Sequence, residues 1–174
     1  MEYTFTLKYQ IADGDRDPGA LVERLGEAGC DDALVGTGQP GRIALAFTRE
    51  STSADEAVRS ALTDVRRAVP TARLIEVAPD LVGLTDVADL VDVSRQNMRK
   101  LMLAHPGSFP LPVHEGKPSI WHLADVLAWL QAKGSYSLPT DVVEVARVAL
   151  QVNVAKEERR LSRPASEELG ALVG

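Results

Sequence analysis

The sequence holds a single cysteine, Cys30, which excludes an intramolecular disulfide framework and any cysteine-rich zinc site. No apolar run approaches the length needed to cross a bilayer, and the start, Met1-Glu2-Tyr3-Thr4, is neither basic nor followed by a compact apolar core, so a secretory signal is not expected. Internal repeats and low-complexity tracts are missing too. These absences lead to the expectation of a cytoplasmic protein with no membrane partner. Acids, serines and histidines occur throughout, but none stands in a recognisable nucleophile or acid–base setting, so the reading is of a chain that is not an enzyme and carries no cofactor.

What is present is an ordinary globular composition, 45% apolar and 25% charged over 174 residues, enough for one medium domain or two small ones. The net charge of −6 argues at first against a nucleic-acid partner. Its distribution weakens that objection, because phosphates are met by a local patch. Residues 1–80 carry nine Lys/Arg against fourteen Asp/Glu, a net of −5; residues 81–138 carry five of each; residues 139–174 carry five against six. The acidity lies in the first half.

Hydrophobic periodicity divides the chain into three segments, 1–79, 81–134 and 138–174. In the first, Tyr3 to Ile11 alternates at the strand period. Asp17-Pro18 offers a helix cap followed by proline at the first helical position, ahead of Ala20, Leu21, Val22 and Leu25, with Gly26 or Gly29 as the stop. Asp32 to Val35, a glycine-rich turn and Arg42 to Thr48 predict a hairpin. Ser53, with Glu56 three residues on, predicts a capped helix that turns Ala57, Val58, Ala61, Leu62, Val65 and Val69 inward and ends at Pro70. Ala72 to Ala78 is a last strand. The order βαββαβ predicts a ferredoxin-like sandwich within an α+β fold.

The second segment carries the functional argument. Gly83 to Val91 is a short helix with Thr85 as its expected cap; Asp92-Val93 is a turn; Ser94 caps a second helix reaching residue 104. Two short helices joined by a tight turn with a buried valine form a helix-turn-helix, whose second helix enters the major groove. Arg95 suits guanine O6 and N7, and Gln96 and Asn97 suit adenine N6 and N7. Arg99 and Lys100 follow one turn later on the same faces. Ser94 and the helix start suit a backbone phosphate. Beyond them, Phe109-Pro-Leu-Pro112, Val113 and Ile120-Trp121 enclose the turn His114–Ser119. This pattern predicts a two-stranded wing with Lys117 at its tip. Leu123, Val126, Leu127, Trp129 and Leu130 then lie on the core side of an amphipathic helix that Gly134 closes.

The run from Leu81 to Gly134 resembles the MerR/AlpA-like and excisionase-like winged helix-turn-helix family. The resemblance rests on Thr85-Asp-Val-Ala-Asp-Leu-Val91, Val93-Ser-Arg95, Phe109-Pro-Leu-Pro112 and Trp121-His-Leu-Ala-Asp-Val-Leu-Ala-Trp-Leu130. It covers about a third of the chain and implies sequence-specific binding of double-stranded DNA through Ser94, Arg95, Gln96, Asn97 and Arg99, with Lys117 in the wing. The N-terminal sandwich and the long C-terminal helix depart from the family's simplest pattern.

The third segment reads as a long helix from about Leu138, apolar on so many faces that a partner chain would help to cover it, followed by Pro164 and a short frayed tail. The expectation is therefore a homodimeric bacterial transcription regulator, a repressor, paired through this helix, with an effector or protein partner at the N-terminal domain. Two other readings stay open. One is an antitoxin-type protein whose acidic first half meets a basic partner while it represses its own operon; the other is an excisionase-like DNA-bending factor.

Several local patterns carry less. Gly36-Thr-Gly38-Gln-Pro-Gly41 matches a dinucleotide fingerprint, but a strand follows it instead of a helix, so it is a hairpin turn. Asp13-Gly-Asp15-Arg-Asp17 resembles a calcium loop, but Arg24 stands where the bidentate glutamate belongs. His105, His114 and His122 share no helical face, so no metal site is expected. His105 either touches a phosphate or ends its helix, and Cys30 is a small core residue.

Overall fold

A computed structural model describes residues 1–164 and 166–174. The chain opens with β1 (Glu2–Gln10), α1 (Pro18–Glu27), β2 (Ala33–Gly36), β3 (Arg42–Glu50), α2 (Ala54–Ala68) and β4 (Arg73–Ala78). These strands form one antiparallel sheet in the order β2-β3-β1-β4. The alternation read from Tyr3 onward is the burial pattern: Tyr3, Phe5, Leu7 and Tyr9 on β1 and Ile43, Leu45 and Phe47 on β3 all face one core. Phe5 stacks on Phe47 with ring centroids 5.2 Å apart.

Helix ends follow the chemistry of their caps. The Asp17 carboxylate accepts the Gly19 N–H, and the Ser53 hydroxyl accepts the Glu56 N–H. Glu56 does not complete a reciprocal box with Ser53; its carboxylate accepts from the Ser51 and Thr52 hydroxyls. On α1 the buried residues are Leu21 and Leu25, whereas Ala20 and Val22 face outward. The helix ends at Glu27, and Gly29 supplies the left-handed residue beyond it with φ of 98°.

After the sheet come β5 (Leu81–Val82), α3 (Leu84–Leu90), α4 (Arg95–Ala104), β6 (Trp121–His122), α5 (Leu123–Lys133), α6 (Thr140–Glu158) and α7 (Glu167–Val173). β5 and β6 form a second, two-stranded antiparallel sheet. The molecule is therefore a mixed α+β fold with two sheets and several helices.

Two apolar cores lie on either side of α6. Val145, Val148 and Ala149 join the core under the large sheet, beside α1 and α2. Val143 and Ala146 join the second core with Val87, Met98, Leu123, Val126, Leu127 and Leu130. The many apolar faces of this helix, which the sequence divides between its own domain and a partner chain, are thus covered to a large extent by the chain's own cores. α6 also adds a third helix to the layer that packs on the sheet, and the Tyr3 hydroxyl donates to Glu144 Oε2 at 3.0 Å.

Polar side chains pin these layers together. Arg49, on the inward face of β3, spans to Asp32 through two hydrogen bonds (2.7 and 2.9 Å), to Asp64 and Ser60 on α2, and to the Gly29 carbonyl. Its guanidinium pKa is raised, chiefly by the Asp32 carboxylate. Toward the opposite edge of the sheet, Asn153 of α6 clamps the edge strand β4. Its Oδ1 accepts the Val77 N–H and its Nδ2 donates to the Val77 carbonyl, both at 2.8 Å.

Two local expectations need correction. Thr85 does not cap α3; Gly83 occupies that position, and the Asp86 carboxylate reaches back to the Gly83 N–H at 2.7 Å. The tail past Pro164 is not frayed throughout, since Ser166 caps the short α7 by accepting the Leu169 N–H. The segment around Asp13 is a 3-10 turn in which Asp15 pairs with Arg24 and Thr71. Among the described residues no group of three or more His, Cys, Asp or Glu side chains is placed to hold a metal ion, and no helix is long and apolar enough to cross a membrane.

Candidate nucleic-acid interface

α3 and α4 meet through a turn whose backbone suits its residues. Asp92 takes a left-handed conformation with φ of 55°, which a short polar side chain tolerates better than most. Val93 then donates its N–H to the Ala88 carbonyl at 2.9 Å. Ser94 starts α4 by accepting the Asn97 N–H at 3.1 Å. Met98 is fully buried and anchors the helix against α3.

That anchor sets the directions of the remaining side chains. With about 3.6 residues per turn, Gln96 and Lys100 lie opposite Met98 and point straight away from the core. Arg95 and Arg99 form one flank and Asn97 the other. Ser94, Arg95, Gln96, Asn97, Arg99 and Lys100 are all exposed. No acid interrupts residues 94–104.

The segment between α4 and β6 is held by aromatic packing. Phe109 is buried edge-on against Trp121 and Trp129, with centroids 6.1 and 5.1 Å away. The Trp121 Nε1–H donates to the Pro110 carbonyl at 3.0 Å, fixing the proline-rich stretch across the core. From that base a narrow hairpin rises. Val113 donates to the Ile120 carbonyl at 2.7 Å, and Ile120 donates to the His114 carbonyl at 2.9 Å. Its regular pairing is a single bridge between His114 and Ile120, shorter than the two-stranded flap that the sequence suggests. The returning strand instead continues as β6 and pairs with β5. At the tip, a side chain at position 116 would meet the exposed His114 imidazole, which would have to rotate away.

Arg95 and Arg99 of α4, Thr85 of α3 and Lys117 of the hairpin tip line one cleft of about 610 Å³. Its apolar side is formed by Met102, Ile120 and Trp121. Asp86 is also in the lining, with Oδ2 engaged by the Gly83 N–H. Among the described residues, Arg95, Arg99, Lys100 and Lys117 form no ion pair within the chain. The structure therefore brings three of the basic residues together. Gln96, Asn97 and Lys100 stand on the exposed sides of the same helix, outside the cleft.

The other polar candidates have structural partners. His105 ends α4, its Nδ1–H bonded to the Leu101 carbonyl at 3.0 Å and its ring edge-on to Trp129. His122 Nδ1 donates to Asp80 Oδ1 at 2.7 Å, and Asn153 Nδ2 donates to Asp80 Oδ2 at the same distance. Asp80 is buried, and this triad of side chains joins the end of the large sheet to α5 and α6. Sequence patterning missed it. The nearest signal was a lone Asn153 among the valines of a helix. Cys30 is buried, and that burial pushes its thiol pKa up to about 11.

No protein-family model, no curated protein and no solved structure matches the chain.

Proposed function

We propose that the chain is a sequence-specific DNA-binding transcription regulator, a repressor, that reads double-stranded DNA through a winged helix-turn-helix. In this reading α3 and α4 are the two helices of the motif, α4 lies in the major groove, and the hairpin at 113–120 is the wing. The first 79 residues are a ferredoxin-like sandwich, a reading supported by their strand order and by helices on one face. The observation that carries the proposal is the convergence of Arg95, Arg99 and Lys117 on one cleft between helix and hairpin.

The chemistry follows from those positions. Gln96 and Lys100 project furthest from the core and meet base edges first. Arg95 and Arg99 flank them on the hairpin side, where guanidinium groups can take guanine edges or phosphates bidentately. Lys117 meets the adjacent backbone. Ser94 and the start of α4 offer N–H donors to a phosphate. None of this requires a basic protein overall, because counterion release depends on the few cations that touch phosphate.

The test is selection from a random duplex pool, repeated across a salt series, with Arg95→Ala/Arg99→Ala beside the wild type. The expected result is a recovered sequence whose enrichment the variant loses, at about 1–3 kcal/mol for each bidentate contact. Lys117→Ala should weaken all sequences about equally and lower the salt slope by about one. Weak, unselective binding that the double variant leaves unchanged would overturn the proposal.

A further inference from the structure

Ile75, Leu81, Val113, Val154 and Leu161 are all substantially exposed, and all line one groove of about 640 Å³. It lies where β4, β5 and the base of the hairpin meet the last turns of α6. Its polar floor, Asp80, His122 and Asn153, is already satisfied by mutual hydrogen bonds. On its rim, Lys156 and Arg160 are both held by Glu157, at 2.7 and 2.9 Å. A surface of this kind, apolar with few free polar groups, fits another apolar surface better than it fits a polar solute.

The chain ends in a matching element. α7 buries none of its residues, and Leu169, Leu172 and Val173 are 52%, 77% and 78% exposed. A helix of seven residues is too short to persist in water without a surface to pack on. It begins six residues beyond Leu161, itself a groove residue, and those six steps can span at most about 20–22 Å. The chain's own groove is not covered by it.

We propose that α7 of one copy packs its Leu169–Leu172–Val173 side into the groove of a second copy, which returns its own α7 in exchange. Such a reciprocal contact is isologous and closes at two chains. Glu167 and Glu168 then approach Lys156 and Arg160 of the partner. The rim also carries Glu76, Glu157 and Glu158, so it is not net cationic, and apolar burial supplies the attraction. Pairing falls on the tail and groove, not on the faces of α6 that the two cores occupy. This proposal does not depend on the reading of the DNA interface.

Two measurements on the full chain test it. In sedimentation velocity over a micromolar concentration series, the wild type should dimerise. Leu169→Asp/Leu172→Asp should raise the dissociation constant by about tenfold or more. Both residues are exposed, so the fold should survive, and far-UV circular dichroism checks that it does. A wild type that stays monomeric, or a variant that dimerises as well as the wild type, would overturn the proposal. In the second, Val154→Cys/Leu172→Cys is oxidised and run on a non-reducing gel; the buried Cys30 does not compete. A covalent dimer supports exchange. An internally crosslinked monomer, or no crosslink, refutes it.

Discussion

Replacing Asn153 by alanine removes a side chain that holds the edge strand of the large sheet, the buried Asp80 and α6 together. Three hydrogen bonds disappear: two between neutral groups, with the Val77 N–H and carbonyl, and one to a carboxylate, Asp80 Oδ2. At about 1 kcal/mol for each neutral bond and about 1.5–3 for the charged one, the loss sums to about 3.5–5 kcal/mol. A water entering the vacated space can return part of this, so about 3 kcal/mol is the expected net effect. The assay is urea unfolding followed by far-UV circular dichroism at neutral pH, with the slope checked for constancy. Asn153→Leu should cost more than alanine, because leucine fills the space and shuts out that water. Asn153→Asp sets a carboxylate against Asp80. Its folded-state pKa is then raised above the unfolded value, so the deficit is largest at high pH and shrinks as pH falls through the raised value. A loss below about 1 kcal/mol for alanine, or a deficit for aspartate that does not vary with pH, would refute this account of the triad.

Two further predictions concern the sheet half. The Asp15 pKa is lowered by the Thr71 hydroxyl and by Arg24, so its contribution is present above the unfolded carboxylate value and lost as pH falls through the lower folded value. Asp15→Asn should therefore flatten the acid limb of the stability profile below about pH 4, and an unchanged limb would contradict the pairing. Cys30, buried and raised to about 11, should react with a thiol reagent at mildly alkaline pH only as fast as the protein opens. Immediate labelling of the native protein would show that the thiol is accessible after all.

The legible parts of the fold were those whose signals are local. Alternation along Tyr3–Ile11, the Ser53 cap, the positive-φ Gly134 and the inward stripe Leu123–Leu130 all act within a few residues, and each lies where the pattern indicates. The missed parts depend on distant partners. β5 and β6 are two residues each, too short for any period to register. Asp80 is buried by groups 42 and 73 residues further along the chain, and nothing around it in sequence distinguishes it from a loop acid. The basic residues of α4 could be named from their types and spacing. That Arg95 and Arg99 share a cleft with Lys117, while Gln96 and Lys100 do not, follows only from how Met98 is rotated into the core.

α6 has consequences for anyone who would divide this gene. On paper the chain looks like a tandem of a sheet unit and a helical unit, to be expressed separately by stopping near residue 80. A fragment stopped there would leave the space beside α2 that Val145, Val148 and Ala149 fill, and Tyr3 would lose its acceptor. A fragment from 81 to 134 would lack Val143 and Ala146 from its core. Each piece folds properly only if the same helix travels with it, and one helix cannot serve both pieces after they are parted. Heat or denaturant should therefore dismantle the two halves in a single step, and insertions will be tolerated at the hairpin tips rather than at the apparent boundaries.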